Sequence, residues 1–302
     1  MPHVRVGDVE LFYEWVEPTS TGPGEANAAR AGAAGTDGAS DGAVADPPVV
    51  VLCNGLLTDT SSWRPTVAAL RATGRYRILA YDCRGQGQSD KPSTDGTGYP
   101  PRLHARDLED LLDYLGVTQA HFIGLSSGGC IVLQAAADRP GLARSLIVVS
   151  AYARVDAALS AKLQSWVSAM EAGGAPLRFD VATPYVWGET HLEKNYEALK
   201  PFRNAALGIS MEPAINLIRG AMDYDVSARL PQIDAPALVV TGDEDILTTR
   251  RHWEELLAGL PHAEHAVMAH AGHAALLEQP EAFNQIALSF LAKVDLLSGH
   301  GV

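Results

Sequence analysis

One short segment of the 302-residue chain places a serine where a nucleophile could stand. Residues Gly124 to Gly128 read Gly-Leu-Ser-Ser-Gly, between an apolar run at 120–125 and a helix-forming stretch that begins near residue 127. A residue on such a tight strand-to-helix turn adopts a strained backbone, and small neighbours remove the clash. The Ser126 hydroxyl would then project from the carboxyl end of a strand, beside the positive amino end of a helix. A packing turn with an idle serine is the alternative interpretation.

A serine hydroxyl needs a neighbouring base before it can attack a carbonyl carbon. His273 stands in Ala-Gly-His, after the last apolar run and before the terminal helix, where a loop can return to the edge that carries Ser126. His270 is the nearest competitor, and His121 lies inside an apolar run, as a packing residue would. Position in the chain therefore favours His273 as the base.

The base in turn needs an acceptor that fixes its tautomer and stabilises its charged form. Two candidates lie in Thr-Gly-Asp-Glu-Asp at 241–245, directly after another apolar run. Asp243 follows a glycine and can simply form a turn, whereas Asp245 lies farther into the loop. We predict Asp245 as the acceptor, with Asp243 as the fallback. The resulting chain order Ser, Asp, His is the one expected for a nucleophile on a strand-to-helix turn.

The elements that must position these residues follow from the hydrophobic pattern. Strands alternate with helical stretches, and most of the strands are apolar throughout, which predicts a mostly parallel, twisted α/β sheet with helices on both faces. The predicted strands are 3–7, 9–16, 49–55, 76–82, 120–125, 145–151, 236–243 and 262–270. The predicted helices are 63–73, 103–115, 127–140 and 280–293.

Two stretches interrupt this alternation. Residues 19–46 are almost wholly Ala, Gly, Ser, Thr and Asp, which predicts a flexible surface insertion. Residues 152–232 contain no strand pattern and are helical and aromatic, which predicts a helical cap over one end of the sheet. We therefore divide the chain into a first core part at 1–151, the cap, and a second core part at 233–302.

Charge and composition exclude several classes of partner. The chain has 23 Lys and Arg against 36 Asp and Glu, a net charge of −13, so nucleic acid and anionic lipid are not expected partners. No apolar run is long enough for a membrane span, and the first fifteen residues lack a signal-peptide pattern. The three cysteines are widely spaced and form no CxxC pair. We expect a cytoplasmic monomer or homodimer that acts on a small molecule.

Neither a metal nor an organic cofactor is expected. The sequence shows no clustered His, Asp and Glu pattern with metal-ligand spacing. It also shows no GxGxxG segment after a strand, which a dinucleotide site would need.

Five segments together resemble the α/β-hydrolase superfamily. They are LCNGLLTDTSSW (52–63), AYDCRGQGQSDKP (80–92), FIGLSSGG (122–129), ALVVTGDEDILT (237–248) and AGHAALLEQPEAF (271–283). The resemblance spans nearly the whole chain outside 19–46, and it implies Asp245 as the acid and His273 as the base. Asn-Gly-Leu followed by Thr-Asp and a Trp is similar to the 3-oxoadipate enol-lactone hydrolases.

The same resemblance implies an oxyanion hole, the pair of N–H groups that stabilises negative charge on a carbonyl oxygen. Its members would be the backbone amides of Leu56 and Ser127. Relatives often have a bulkier residue at the position of Ser127. Either the Ser127 hydroxyl faces the substrate, or Ser127 is a small residue without a role of its own.

The resulting hypothesis is a cofactor-free serine hydrolase that cleaves an ester, lactone or thioester of a small apolar molecule. A carbon–carbon hydrolase or perhydrolase on the same triad is one alternative, and a ligand-binding receptor with vestigial activity is another.

Candidate pocket residues are Trp187, Trp63, Tyr185, Met170 and His191. Among these candidates we favour Trp187 as a substrate-binding residue, because Gly188 leaves room beside its ring. The competing interpretation is that these side chains form the core of the cap itself.

Overall fold

The computed structural model describes residues 2–19 and 46–299. The predicted insertion therefore lies, apart from Thr19 and Asp46, outside the described residues.

A single sheet of eight strands organises the described chain. In spatial order its strands run β1-β2-β4-β3-β5-β6-β7-β8, and the six from β4 to β8 are parallel, while β1 and β2 form an antiparallel edge. The predicted mostly parallel α/β sheet is confirmed. The strands are β1 His3–Val6, β2 Val9–Val16, β3 Val49–Cys53, β4 Arg77–Tyr81, β5 Ala120–Leu125, β6 Ala143–Val149, β7 Ala237–Gly242 and β8 Ala263–Met268.

Helices connect the strands and cover both faces of the sheet. They are α1 Arg64–Ala72, α2 Pro101–Tyr114, α3 Ser127–Asp138, α4 Ala157–Val186, α5 Glu189–Asn195, α6 Lys200–Ala205, α7 Met211–Ala221, α8 Arg250–Gly259, α9 Ala275–Glu278 and α10 Pro280–Leu297. Short 3₁₀ turns lie at Thr60–Trp63, Tyr196–Leu199, Ala206–Gly208 and Ser227–Gln232. The sequence predicts no helix at the position of α8.

The side-chain alternation of the central strands divides the core between the two faces. Val49, Val51 and Cys53 of β3 belong to the apolar cluster that includes residues of α2 and α3. Val50 and Leu52 belong to the opposite cluster, with residues of α1 and α10. A central strand buried on both faces is what a continuous apolar run predicts.

Between β6 and β7 the chain is helical, as predicted for 152–232. Its two ends meet, because Arg154 and Asp225 form an isolated antiparallel bridge. The long helix α4 bends at Gly173 and Gly174, whose backbone angles are not helical. Gly174 has φ 75°, a conformation that side chains with a Cβ disfavour, so a glycine permits the bend here. The division of the chain at 152 and 232 stays a prediction.

Candidate active site

Ser126 occupies the turn between β5 and α3, as the sequence predicts. Its φ of 52° and ψ of −116° are a conformation that L residues rarely adopt. The turn is also crowded, since a Cβ at Gly128 would lie 2.1 Å from the Cys53 carbonyl oxygen and one at Gly124 would lie 2.5 Å from the Gly128 carbonyl carbon. Small residues are therefore required on both sides of the serine.

His273 and Asp245 form a buried pair in the loops that follow β8 and β7. His273 Nδ1 lies 3.0 Å from Asp245 Oδ2, and the two side chains are only 7% and 2% exposed. With Nδ1 donating to the carboxylate, Nε2 is left as the proton acceptor of the ring. This is the arrangement that a general base requires.

Thr248 contacts both members of this pair and was not predicted from the sequence. Its hydroxyl donates to Asp245 Oδ2 at 2.6 Å and lies 3.2 Å from His273 Nδ1 and also 3.2 Å from the Ser150 carbonyl oxygen. The backbone N–H groups of Leu247 and Thr248 donate to Asp245 Oδ1 at 2.8 and 2.9 Å. Asp followed three residues later by Thr is the spacing of a local side-chain turn, so this signal was present in the sequence.

These contacts determine the charge of Asp245. Burial alone would raise the pKa of its carboxyl group. The adjacent His273 ring and the hydrogen bonds from Thr248 outweigh burial and hold the pKa of Asp245 below its usual value. The carboxylate is thus ionised beside the imidazole at neutral pH.

The alternative candidates for the acid and the base, Asp243, His270 and His121, have other partners. Asp243 accepts the backbone N–H of His270 at 2.7 Å, and the His270 side chain is 74% exposed. His121 is fully buried, with Nδ1 2.8 Å from Ser145 Oγ and Nε2 3.2 Å from Asp295 Oδ1. The structure pairs none of the three with Ser126, Asp245 or His273.

The three predicted catalytic residues share one edge of the sheet, because parallel strands end together. The N–H of Ser126 donates to the Val149 carbonyl oxygen at the end of β6, at 2.8 Å. The carbonyl oxygen of Ser150, the next residue, lies 3.2 Å from the Thr248 hydroxyl beside Asp245. Within the described residues, no hydrogen bond joins Ser126 Oγ to the His273 ring.

The predicted oxyanion hole involves the loop after β3 and the start of α3. These segments are in contact, since a Cβ at Gly128 would lie 2.6 Å from the Asn54 carbonyl oxygen. Neither the Leu56 N–H nor the Ser127 N–H donates a backbone hydrogen bond to the described residues. Both are therefore available as donors at this edge of the sheet.

Trp63 and Asn54 brace the loop after β3. The indole N–H of Trp63 donates to Asn54 Oδ1 at 2.7 Å, and Asn54 Nδ2 donates to the Tyr81 carbonyl oxygen at 3.1 Å. Trp63 is 1% exposed and belongs to the apolar cluster on the α1 and α10 face. Its role in substrate binding stays a prediction.

The remaining predicted pocket residues lie in the helical segment. The rings of Trp187 and His191 stack at 4.9 Å, and burial lowers the pKa of His191. Tyr185 is half-buried, with Lys162 Nζ 5.9 Å from its ring centre, and Met170 is 1% exposed within the core. Their roles in substrate binding also stay predictions.

The helical segment is attached to the loop that carries His273. Glu278 accepts the N–H of Gly188 at 3.2 Å and the N–H of Gly272 at 3.1 Å, and burial raises the pKa of this carboxyl group. The Ala274 N–H donates to the Val186 carbonyl oxygen at 2.9 Å. Trp187 is therefore held next to the segment that carries the candidate base.

The chain is similar to known proteins over most of its length. A family model described as alpha/beta hydrolase fold matches residues 48–280. This chain belongs to the α/β-hydrolase family. RutD of Stutzerimonas stutzeri (strain A1501), assigned as a candidate carbamate hydrolase, is 31% identical to this α/β hydrolase over 251 residues, or 82% of this chain and 93% of RutD.

Solved structures agree with the fold. The enol-lactonase from Burkholderia xenovorans LB400 is 25% identical and superposes with a TM-score of 0.76 over 96% of this α/β hydrolase and 99% of the lactonase. MGS-M2, an alpha/beta hydrolase enzyme from a Medee basin deep-sea metagenome library, is 24% identical with a TM-score of 0.81, over 96% and 97% of the two chains. The second likeness shows the fold alone.

Three further observations concern other kinds of site. In residues 2–19 and 46–299, no three His, Cys, Asp or Glu side chains form a group that could hold a metal ion. No helix in these ranges is both long and apolar enough to cross a membrane. A surface cavity of about 410 Å³ lies at the amino ends of the strands of this α/β hydrolase, near Gln119 and Pro236, and thus at the edge opposite Ser126.

Proposed function

We propose that this α/β hydrolase is a serine hydrolase that cleaves a small ester, lactone or thioester through an acyl-enzyme. Ser126 is the nucleophile, His273 the base and Asp245 the residue that orients the base. The observation that carries the proposal is the 3.0 Å contact between His273 Nδ1 and Asp245 Oδ2, at the sheet edge where Ser126 stands on a strained turn.

The reaction follows from these positions. Ser126 Oγ attacks the carbonyl carbon while His273 Nε2 takes its proton, and Asp245 stabilises the imidazolium that forms. The N–H groups of Leu56 and Ser127 stabilise the oxyanion. His273 then protonates the leaving group, and a water deprotonated by the same ring cleaves the acyl-enzyme. The mechanism requires Ser126 Oγ and His273 Nε2 to come within hydrogen-bond distance in the substrate complex.

None of these steps needs a metal or an organic cofactor, because the protein groups supply the nucleophile, the base and the oxyanion donors. The helical segment, with Trp187 and His191 beside the His273 loop, would cover the reacting groups and select the substrate. The proposed substrate is a small molecule, since a covered site admits nothing larger.

Carbamate hydrolysis is the second candidate, and the 31% identity to RutD favours it. A carbamate ester presents the same kind of carbonyl carbon to Ser126, so the machinery would be unchanged. Turnover of carbamates faster than of matched carboxylic esters would favour this second function.

Covalent labelling tests the proposal directly. A fluorophosphonate probe should label the wild-type enzyme and fail to label Ser126→Ala, and p-nitrophenyl esters, enol-lactones and carbamates should identify the preferred bond. Ser127→Ala is the matched control, since it removes the neighbouring hydroxyl and keeps its backbone N–H. Labelling that survives in a folded Ser126→Ala variant would remove Ser126 from the mechanism.

A further inference from the structure

Lys162 reaches from the helical segment to the loop that carries Asp245, residues 245–248, which we call the acid loop. Its ammonium donates to the Ile246 carbonyl oxygen at 2.5 Å and to the Leu247 carbonyl oxygen at 3.2 Å. These two residues directly follow Asp245 in the chain. Two of the three N–H groups of the ammonium are therefore directed at the acid loop.

The carbonyl groups of the acid loop take the place of an anionic partner for this lysine. Within residues 2–19 and 46–299, the Lys162 ammonium forms no ion pair. Its other neighbour is the ring of Tyr185, whose centre lies 5.9 Å from Nζ. The side chain is half-buried, so the contact with the acid loop replaces part of the hydration that the charge has lost.

The same two peptide groups hold the Asp245 carboxylate from their opposite side. The Ile246 carbonyl and the Leu247 N–H belong to one peptide group, and this N–H donates to Asp245 Oδ1 at 2.8 Å. The Leu247 carbonyl and the Thr248 N–H belong to the next, and this N–H donates to the same carboxylate oxygen at 2.9 Å. Because a trans peptide group is planar and its C=O and N–H point in opposite directions, a cation that binds the oxygen also fixes the direction of the N–H.

The ammonium on the carbonyl side also strengthens the hydrogen bonds on the N–H side. Hydrogen bonds that share a peptide group polarise one another, so a cation at the oxygen makes the N–H a better donor. Both peptide groups thus extend the influence of Lys162 to Asp245, whose other oxygen lies 3.0 Å from His273 Nδ1. A continuous series of contacts therefore runs from α4 to the candidate base.

Lys162 projects from a well-supported part of α4. Asp156 caps the first turn of this helix, where its carboxylate accepts the Leu159 N–H at 2.9 Å. Lys162 lies three residues farther, about 4.5 Å along the axis, and its neighbour Leu163 is buried in the core. The position of the helix therefore determines where the ammonium meets the acid loop.

We propose that Lys162 is a positioning residue for the reaction, which orients the two peptide groups that bind Asp245 and thereby orients His273. The helical segment then supports the acid and the base as well as covering them. This inference rests on the proposed function, which supplies the roles of Asp245 and His273.

Removal of the ammonium tests the proposal. Lys162→Met keeps an unbranched side chain and should lower kcat for p-nitrophenyl butyrate about 3- to 10-fold with little change in KM, because the orientation of the base is lost and substrate binding is not. Lys162→Arg retains a cationic donor and should recover most of kcat. Lys194→Met, at an exposed lysine on α5, is the matched control and should stay close to wild type. An unchanged kcat, or a change in KM alone, in a folded Lys162→Met variant would overturn the inference.

The Asp245→Asn background shows whether Lys162 acts through the acid. If it does, adding Lys162→Met to Asp245→Asn should lower the residual kcat by less than about twofold, because the group that Lys162 positions is already absent. A second loss as large as in the wild-type background would show that Lys162 acts through the general stability of the helical segment, and the inference would be wrong.

A measurement without turnover separates this inference from the proposed function. In Ser126→Ala, the low-field proton resonance of the His273 Nδ1–H reports its hydrogen bond to Asp245. Adding Lys162→Met should shift or broaden this resonance, and adding Lys194→Met should leave it unchanged. An identical resonance in both would show that Lys162 does not position the pair, even if Ser126 is the nucleophile. If Ser126→Ala still hydrolyses the ester, the proposed function fails while the comparison of resonances stands by itself.

Discussion

At the scale of single residues, the candidate site depends on side chains that have little freedom. Ser126 is held in a strained conformation, and Asp245 receives four short contacts from His273, Leu247 and Thr248. Both oxygens of the carboxylate are thereby used, so the ring of His273 has one favourable orientation. Such pre-organisation lowers the cost of reaching the transition state.

Replacement of the acid tests this orientation. Asp245→Asn should leave the fold intact and lower kcat for an ester substrate about 10³- to 10⁴-fold, because an amide favours the wrong imidazole tautomer. Steady-state kinetics and circular dichroism measure the two effects. Asp243→Asn is the control and should stay close to wild type, since within the described residues the Asp243 carboxylate accepts only a backbone N–H, that of His270. If Asp243→Asn is instead the crippling change, the acid is misassigned.

Thr248 is a positioning residue, and its hydroxyl is the part that matters. Thr248→Val should lower kcat about 10-fold with little change in KM, because Asp245 loses one hydrogen bond while the volume stays similar. Thr248→Ser, which restores the hydroxyl, should recover most of the activity. Equal loss in both variants would show that the methyl group, and not the hydrogen bond, is responsible.

At the scale of elements, the approach of the helical segment to the His273 loop depends on two glycines. A Cβ at Gly188 would lie 2.7 Å from the Gly272 N atom, and one at Gly272 would lie 2.2 Å from the Gly188 N atom. The two backbones are therefore in direct contact, and Glu278 receives a hydrogen bond from each. This contact holds the end of α4 and the start of α5 beside the candidate base.

Gly188→Ala should force these segments apart. We expect a loss of about 1–3 kcal/mol in the free energy of unfolding and a lower kcat/KM, because an added methyl group overpacks a backbone contact. Gly208→Ala is the control, since it lies in the same helical segment and a Cβ there would meet nothing within 4 Å. Denaturant unfolding and ester kinetics on both variants measure the difference. Equal stability of the two variants would contradict the close contact.

At the scale of the whole molecule, buried histidines link stability to pH. His104 on α2 is 3% exposed, and burial, with the charge of Arg84, lowers its pKa to about 3. The folded protein therefore holds it neutral, whereas the unfolded chain protonates it below pH 6.5. Because only the unfolded chain takes up this proton, the free energy of unfolding is highest above pH 6.5 and decreases as the pH falls toward 3.

His104→Gln should flatten this dependence. Between pH 7 and pH 5, wild type should lose about 2 kcal/mol more unfolding free energy than the variant does. Urea unfolding at several pH values measures both slopes. His262→Gln, at a side chain that is 58% exposed, should keep the wild-type slope. A slope that is unchanged in His104→Gln would show that another group governs acid unfolding.

Many of the structural elements could be predicted from the sequence, because each depends on a local pattern. The eight predicted strands became the eight strands of the sheet; β2 and β5 match at both ends, and the others have ends shifted by one or two residues. The helix α8 was missed, since it is short and only His252 and Leu256 on it are buried. The paired Asp245 and His273 were predicted from their places after β7 and β8 and from the family resemblance.

The sequence by itself determined the alternation of strands and helices, the serine on its turn and the order of the three candidate catalytic residues, because these depend on neighbours along the chain. Only the tertiary structure decided that Glu278 receives N–H groups from Gly188 and Gly272, and that the Arg178 guanidinium stacks on Trp166. The physical reason is that such contacts depend on side-chain direction and on distances between segments far apart in sequence, which no local pattern specifies.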